Sequence, residues 1–180
     1  LASLTFAQAA AVTMAASTAL RGVRDVGEVR AGHRLLVNGA AGGVGTYAVQ
    51  IAAALGAEVT GVCSTRNVEL MRSIGAAHVV DYTTEDFTDT RAPYDVILDN
   101  VGNQPLSRLR RALTPTGTLV LNAGGSPGRV VGAVGPMLRA VVVNGFVRQR
   151  LRPLPTKQNR EELLTLTGLI VITLVPTAVV

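Results

Sequence analysis

Cysteine is almost absent from this chain of 180 residues, in which Cys63 is the only one. A single thiol cannot form a disulfide within the chain, and it cannot build a zinc site based on several cysteines. Disulfides mark oxidising compartments, whereas free thiols are typical of the reducing cytosol. Cysteine usage therefore excludes a disulfide framework and favours a cytoplasmic protein.

Histidine is nearly as scarce, with only His33 and His78 present. His33 precedes the first apolar strand pattern and His78 begins the third, so they form neither a metal-binding triad nor part of an evident nucleophile–base pair. Three acidic residues, Asp81, Asp95 and Asp99, are interpreted as strand-end and turn residues rather than as acid–base groups. The sequence therefore predicts no metal site, and it leaves the catalytic residues unknown.

Aromatic residues and charges are also few, at 3% and 16% of the chain, whereas hydrophobic residues reach 48%. This composition predicts a globular domain with a core of Ala, Val, Leu and Ile. The formal net charge is +5, but the basic residues neither form a long run nor alternate with the aromatic residues on which single-stranded nucleic acids stack. The excess charge favours a solvated basic face and no nucleic-acid partner.

Neither end of the sequence carries a strong targeting or membrane signal. The first residues, from Leu1, lack the basic segment that opens a signal peptide, and we expect a longer protein to continue upstream. Residues 163–180 are uncharged and have the length of a marginal membrane span. Gly168, Pro176 and four threonines in this stretch favour a buried helix followed by a strand or a terminus. We therefore expect no membrane partner.

Apolar strand patterns alternate with helical patterns along the chain. An alanine-rich stretch, residues 5–24, predicts a helix that Gly27 and Gly32 break. The predicted strands are residues 34–39, 58–63, 78–82, 94–102, 117–125 and 145–154. The further predicted helices are residues 43–56, 66–75, 104–117, 129–141 and 159–170. This alternation is typical of an α/β fold, in which helices cover both faces of a parallel sheet.

The segment NGAAGGVG, residues 38–45, lies between the first of these strands and the helix that follows it. Its last six residues match the dinucleotide fingerprint, with alanine in the first glycine position. Gly42 would allow a pyrophosphate to approach the backbone, and Gly45 would allow the helix to pack closely on the strand. The helix amides and the positive end of the helix dipole face the same loop. A tight turn alone is the alternative, but the order strand, loop, helix and strand favours cofactor binding.

The second strand pattern ends without the acidic residue that binds the ribose hydroxyls of NAD. No Asp or Glu lies between Glu58 and Glu69. Ser64, Thr65 and Arg66 stand there instead, and their hydroxyls and guanidinium suit a 2′-phosphate. A solvated arginine at the start of the next helix is the alternative for Arg66. The missing acid favours NADP(H) over NAD(H).

Two asparagine turns follow the fourth and fifth strand patterns, at the edge where ligands of such sheets bind. The first contains Asn100, Val101 and Gly102, and the second spans residues 122–124. Each alone is an ordinary turn signal. Together they can bring backbone groups and asparagine amides to the ribose and nicotinamide of a bound cofactor.

Three segments carry a resemblance to a known family: LLVNGAAGGVGTYAVQIAAALGAEVTGVCSTRN, SIGAAHVVDYTTEDF and YDVILDNVG. Together they resemble the medium-chain dehydrogenase/reductase superfamily, and most of all its zinc-independent NADPH:quinone oxidoreductase-like branch, from about Leu4 to Ile170. The resemblance implies a doubly wound, six-stranded parallel sheet, the Rossmann fold, with NADPH across its switch point. Residues 1–28 would form an N-terminal helical segment that leads into an NADP-binding domain of residues 29–180.

Carried over residue by residue, the resemblance implies a contact for each part of NADP(H). The pyrophosphate would lie on the loop formed by Ala41, Gly42, Gly43, Val44 and Gly45. The adenosine 2′-phosphate would be surrounded by Ser64, Arg66 and Tyr82. The ribose would lie beside Asn100 and Val101, and Thr18 would lie near the nicotinamide. The nicotinamide ribose would be approached by Asn122, Ala123, Gly124, Phe146 and Val147.

The resemblance also implies an activity, the metal-free transfer of hydride from NADPH to a small-molecule electron acceptor, either a quinone or an α,β-unsaturated carbonyl. An enoyl reductase or a zinc-type alcohol dehydrogenase of the same superfamily is the alternative. A non-catalytic nucleotide- or RNA-binding protein is the alternative from another class. We expect the family's first, GroES-like catalytic domain to be missing from this chain, and the fragment alone to be weakly active or inactive.

The chain departs from the family pattern at two further places. Thr13 stands where relatives commonly have proline, and after Ile170 the segment VITLVPTAVV replaces a turn that contains Gly and Lys. Relatives commonly form dimers through their outer strands. The resemblance therefore implies a homodimer of the intact protein, with residues 146–152 near the interface.

Overall fold

Six parallel strands form one sheet in the computed structural model, which describes residues 12–89, 92–122 and 148–154. The strands are β1 (Arg34–Asn38), β2 (Glu58–Cys63), β3 (His78–Asp81), β4 (Tyr94–Asp99), β5 (Leu113–Leu121) and β6 (Arg150–Pro153). Their order is β3-β2-β1-β4-β5-β6, and every neighbouring pair is parallel. The chain moves outward in both directions from β1 and β4, which confirms the doubly wound Rossmann fold and places the switch point between these two strands.

Helical segments precede β1 and follow β1, β2 and β4. The α1 segment consists of the helix Ser17–Leu20 and of wider, π-type helical turns on its two sides, Val12–Ala16 and Arg21–Val26. After β1 comes helix α2 (Gly43–Ala54). After β2 come a short 3-10 turn (Thr65–Asn67) and helix α3 (Val68–Ser73), and after β4 comes helix α4 (Leu106–Arg111). The alanine-rich helix thus ends before Gly27, as predicted.

Alternating residues of the strands contribute to two separate hydrophobic clusters. Leu35 and Val37 of β1 pack in one cluster with residues of α1, α2 and α3, among them Ile51. Leu36, between them, packs in the other cluster, which contains Leu109 of α4. Successive side chains of a strand point to opposite faces of the sheet. Helices therefore cover both faces, as predicted.

The fifth strand begins earlier than its sequence pattern indicates. The sequence predicts a helix over residues 104–117 that Pro115 and Gly117 end, but α4 is shorter and Leu113 already begins β5. Leu113 pairs with Tyr94 of β4, and a register shift follows in the ladder. This irregularity accommodates Pro115, which has no amide hydrogen to donate. The helix prediction is wrong here because pairing with β4, which is not local in sequence, decides the conformation.

Ion pairs connect the end of the α1 segment with β6, the last strand. Glu28 accepts hydrogen bonds from Arg150 at 3.0 Å and from Arg152 at 2.7 Å. Arg152 also donates to the carbonyl of Val26 at 3.2 Å. The two guanidinium groups, that of Arg152 first, hold the pKa of Glu28 below its usual range. Since the α1 segment also contributes Leu20 to the larger core cluster, its described part packs as one body with the sheet.

Several predictions concern residues outside the described ranges. They are the helices over residues 129–141 and 159–170 and the uncharged stretch 163–180. Within the described part of the chain, no helix is both long enough and apolar enough to cross a membrane.

Candidate cofactor-binding site

A cleft of about 330 Å³ opens beyond the carboxyl ends of β1 and β4. It lies at the switch point of the sheet, where ligands of doubly wound folds bind. The predicted site residues that line it are Gly42, Gly43, Val44, Gly45, Asn100, Val101 and Asn122. One further lining residue, Gly39, is not among the predicted site residues. The structure thus brings the glycine loop and both asparagine turns to one cleft.

The glycine loop leaves backbone amides at this cleft without acceptors in the helix. Gly42 lies just before α2 with ψ 168°, and its carbonyl accepts the amide of Thr46 at 2.9 Å. The amides of Gly43, Val44 and Gly45 precede this first helical hydrogen bond, so they have no partner within α2. Three such donors at the positive end of a helix of 12 residues form a favourable site for a phosphate.

Steric crowding explains why two positions of the loop require glycine. Gly39 has φ +77°, a conformation that other residues rarely adopt, and a Cβ there would lie 2.7 Å from Val101 Cγ2. At Gly45 a Cβ would lie 2.2 Å from the carbonyl oxygen of Gly39, so α2 could not pack this closely on β1. The close approach expected at Gly45 is therefore present. The requirement at Gly39 lies outside the fingerprint, and its sequence signal is the Asn-Gly pair at the end of a strand.

A buried carboxylate organises the turn beside the cleft. Asp99 is 1% exposed, and its Oδ1 accepts hydrogen bonds from Asn38 Nδ2 at 2.8 Å and from the amides of Val101 at 3.2 Å and Gly102 at 3.0 Å. Asn38 also donates to Asn103 Oδ1 at 2.9 Å. Asp99 is thus a strand-end and turn residue, as interpreted from the sequence. Its contact with Asn38, which the sequence does not predict, ties the end of β4 to the end of β1.

Two asparagine side chains continue this network across the sheet. Asn100 Nδ2 donates to the carbonyl of Asn38 at 3.1 Å, and Asn122 Nδ2 donates to Asn100 Oδ1 at 2.8 Å. The ends of β1, β4 and β5 are thereby joined, and both side chains are held in fixed orientations at the cleft. The predicted contacts further along the chain, Ala123, Gly124, Phe146 and Val147, lie outside the described residues.

The turns that carry Ser64, Arg66 and Tyr82 form a second position, because they follow the carboxyl ends of the neighbouring strands β2 and β3. Asn67 Nδ2 donates to Ser64 Oγ at 3.3 Å, and the amide of Tyr82 donates to the carbonyl of Cys63 at 3.1 Å. Arg66 is exposed, and its side chain makes no hydrogen bond or ion pair within residues 12–89, 92–122 and 148–154. Its guanidinium is therefore available to an anionic ligand.

An acidic residue also lies at this second position, although none follows β2 directly in the sequence. Asp81, the last residue of β3, pairs in register with Cys63, the last residue of β2. Its carboxylate accepts hydrogen bonds from the Thr65 hydroxyl, from the Thr83 hydroxyl at 2.7 Å and from the Thr83 amide at 2.9 Å. These donors, the Thr65 hydroxyl first, hold the pKa of Asp81 below its usual range. The hydroxyl of Thr65 is thus bonded to Asp81 instead of being open to a phosphate.

Thr18 lies in the α1 segment and is not among the residues that line the cleft. Its hydroxyl donates to the carbonyl of Met14 at 2.7 Å, one turn earlier. The segment nevertheless approaches the glycine loop, because a Cβ at Gly43 would lie 3.8 Å from Ala15 Cβ. A contact between Thr18 and the nicotinamide stays a prediction.

Neither the histidines nor the cysteine are among the residues that line the cleft. His78 Nε2 is 2.9 Å from Glu58 Oε1 at the edge of the sheet. Cys63 is buried, and this burial raises the pKa of its thiol. Among the residues that the structure describes, no group of three or more His, Cys, Asp or Glu side chains is placed to hold a metal ion. The described lining of the cleft supplies amide donors, which suit the binding and orientation of a ligand.

Comparisons with known proteins agree with this geometry. Residues 43–166 match the family model described as zinc-binding dehydrogenase. The chain is 44% identical over 107 residues to a protein of Homo sapiens, NAD(P)H oxidoreductase RTN4IP1, mitochondrial. It is 36% identical over 155 residues to a protein of Arabidopsis thaliana, NADPH-dependent alkenal/one oxidoreductase, chloroplastic. These alignments cover 56% and 84% of this chain, but 27% and 37% of the two relatives.

A solved structure shows the same similarity in three dimensions. The quinone oxidoreductase from Coxiella burnetii superposes with a TM-score of 0.76 at 31% sequence identity, over 94% of this chain and 50% of that one. The chain therefore spans half or less of the length of each of these relatives. Since the family model matches more than half of the chain, the chain belongs to the zinc-binding dehydrogenase family of the medium-chain dehydrogenase/reductase superfamily, and its similarity is to the quinone oxidoreductase-like branch.

Proposed function

We propose that this chain is the cofactor-binding part of an oxidoreductase that transfers a hydride from NADPH to a quinone or an α,β-unsaturated carbonyl. The observation that carries the proposal is the cleft at the switch point, where the first-turn amides of α2 and the asparagine turns after β4 and β5 line one cavity. Doubly wound sheets bind dinucleotides at this position.

Different residues of the cleft would bind different parts of the cofactor. The amides of Gly43, Val44 and Gly45 would bind the pyrophosphate, which is the ligand that a helix N-terminus after a glycine loop favours. Asn100 and Asn122, fixed by their mutual hydrogen bond, would orient the ribose on the nicotinamide side. NADPH, when bound, supplies the hydride, and the residues of this chain bind and orient it.

The preference for NADPH is supported by the position beyond β2. Ser64, Arg66 and Tyr82 lie there, and the guanidinium of Arg66 can donate charge-assisted hydrogen bonds to a 2′-phosphate. The Arabidopsis relative is NADPH-dependent by name. Arginine at this place, with no acid in the same turn, favours the phosphorylated cofactor.

The acceptor class is supported by the relatives. One of them carries alkenal/one in its name, and another is a quinone oxidoreductase. Quinones and α,β-unsaturated carbonyls share an electron-poor conjugated system that can accept a hydride. A homodimer of the intact protein and a cytoplasmic location stay predictions, and the two relatives above are mitochondrial and chloroplastic by name.

Isothermal titration of the 180-residue chain with NADPH and with NADH tests the cofactor assignment. We expect saturable binding of both nucleotides at one site, with NADPH the tighter ligand. A folded sample that gives no binding heat with either nucleotide would refute the assignment. Tighter binding of NADH would refute the role given to Arg66 and leave the dinucleotide site in place.

A further inference from the structure

A negative charge lies inside the proposed adenosine site. Strand register places Asp81 beside Cys63, so its carboxylate lies next to the turn that carries Ser64 and Arg66. The hydrogen bond from Thr65 Oγ1 to Asp81 ties that turn to the end of β3. Hydroxyl and amide donors around the carboxylate stabilise its charged form. A phosphate bound by Arg66 therefore comes close to a fixed anion.

A second turn of the same sequence type shows what distinguishes Asp81. Asp81 and Asp86 each begin an Asp-x-Thr turn, in which the carboxylate accepts the threonine hydroxyl at 2.7 Å and the threonine amide at 2.9 Å. At Asp86 the other carboxylate oxygen accepts a hydrogen bond from Arg108 at 2.6 Å, which compensates its charge. At Asp81 the other oxygen accepts a neutral hydroxyl, that of Thr65. The charge of Asp81 thus has no cationic partner within the described ranges of the chain.

We propose that Asp81 is a specificity-determining residue that limits the preference for NADPH over NADH. The inference rests on the proposed function, because it requires the 2′-phosphate to bind at Ser64 and Arg66. Arg66 attracts that phosphate, and Asp81 repels it. NADH carries an uncharged hydroxyl at the same position, which the carboxylate does not repel. The chain therefore retains NADH as a usable second cofactor.

The size of the effect follows from the exposure of the site. Charges separated by several ångströms near a protein surface interact weakly, because water and salt screen them. Removing the carboxylate charge should therefore tighten NADPH binding by roughly threefold to tenfold. NADH has no charge at this position, so its affinity should change by less than about twofold.

Titration of the full chain with NADPH and with NADH, in the wild type, Asp81→Asn and Asp86→Asn, tests the proposal. Asp81→Asn keeps an oxygen for the amide and hydroxyl of Thr83, and its new Nδ2 can donate to the hydroxyl of Thr65, which accepts as well as donates. The turn can therefore keep its contacts without the charge, and NADPH should bind more tightly. Asp86→Asn alters a turn with the same threonine contacts, whose carboxylate pairs with Arg108 of α4, and it should leave both affinities unchanged. Asp81→Ser, a second uncharged variant, should shift NADPH affinity in the same direction as Asp81→Asn.

Three results would overturn the proposal. Unchanged or weaker NADPH binding in Asp81→Asn, with NADH binding intact, would show that the carboxylate does not repel the phosphate. Equal weakening of both nucleotides would show that Asp81 only supports the turn. A wild type that binds neither nucleotide would overturn the proposed function together with this inference. If NADPH binding by the wild type depends on Arg66, the proposed function is supported. The Asp81 variants then test only the inference about Asp81.

Discussion

The two ends of the candidate site are built in different ways. At the pyrophosphate end the chain offers backbone amides, those of Gly43, Val44 and Gly45, and the residues that shape it follow one another in sequence. At the adenosine end it offers side chains from two strand ends, among them Arg66, with Asp81 beside them. Backbone donors serve any dinucleotide, whereas side chains distinguish one dinucleotide from another. We therefore expect affinity for dinucleotides in general to depend on the first end, and the choice of cofactor to depend on the second.

The largest effect is expected at the pyrophosphate end, from Gly45→Ala. The added Cβ would lie 2.2 Å from the carbonyl oxygen of Gly39, so α2 must move away from β1. We expect the free energy of unfolding to fall by about 3 kcal/mol, and NADPH and NADH to lose affinity together. Urea unfolding and titration measure the two effects. Gly43→Ala is the control for stability, since its Cβ meets nothing closer than Ala15 Cβ at 3.8 Å. An equal loss of stability in both variants would be evidence against the close-packing role of Gly45.

The next largest effect on stability and affinity is expected from Asp99→Ala. Asp99 supports the turn beside the cleft, where both nucleotides would bind. The substitution removes the acceptor of Asn38 Nδ2 and of the amides of Val101 and Gly102. Leaving such groups unsatisfied should lower the free energy of unfolding by about 2 kcal/mol and weaken both nucleotides alike. Asp99→Asn keeps an acceptor oxygen and should recover most of the loss in urea unfolding. A change in the ratio of the NADPH and NADH affinities would contradict this prediction, because it would show that Asp99 affects the choice of cofactor.

At the adenosine end, Arg66→Ala should weaken NADPH alone. Loss of charge-assisted hydrogen bonds to the 2′-phosphate corresponds to roughly tenfold to hundredfold in the dissociation constant, and NADH affinity should stay within about twofold. Arg72→Ala is the matched control, an exposed arginine of α3 paired with Glu69 at 2.6 Å. Titration of the three proteins with both nucleotides measures this. A comparable loss of NADH binding in Arg66→Ala would remove the distinction between the two ends.

The smallest effect concerns the pH dependence of stability at the adenosine end. The Thr65 hydroxyl and the other donors hold the pKa of Asp81 below its ordinary value of 3.8 in the folded protein. Such a carboxyl stabilises the fold above its unfolded pKa, and this contribution is lost as the pH falls through the folded pKa. The wild type should therefore be more stable than Asp81→Asn at neutral pH, and the difference should shrink below about pH 4.

Urea midpoints measured between about pH 7 and about pH 3 check this dependence. The loss in Gly45→Ala arises from steric overlap and should stay constant over the same range. A constant difference between the wild type and Asp81→Asn would show that the carboxylate is not stabilised by its donors. If the expected dependence is found, the charge of Asp81 adds stability to the fold.

Local patterns were sufficient to predict most of the fold. Each strand and each helix of the described part depends mainly on contiguous residues, whose apolar spacing and glycine boundaries are visible in the sequence. The start of β5 is the exception. A proline at position 115 reads locally as the end of a helix, and only the bulged pairing of Leu113 with Tyr94 makes it part of a strand.

The same distinction between local and non-local features holds for the candidate site. The loop of residues 42–45 is predicted from the sequence because the fingerprint is local. The contact of Asn38 with Asp99 joins residues 61 positions apart, and that of Thr65 with Asp81 joins residues 16 apart. Only the register between neighbouring strands brings these pairs together. The sequence of the turn after β2 therefore indicates Arg66, but it does not indicate the carboxylate of Asp81 beside this turn.

We expect the amides of Gly43, Val44 and Gly45 to bind the pyrophosphate of the cofactor. Mapping of amide chemical shifts in an isotope-labelled chain, titrated with NADPH and then with NADH, tests it most directly. We expect both nucleotides to shift these three amides and that of Asn122 the most, and NADPH alone to shift Arg66 strongly. Saturable binding of NADPH that leaves the chemical shifts of the glycine-loop amides unchanged would contradict this role.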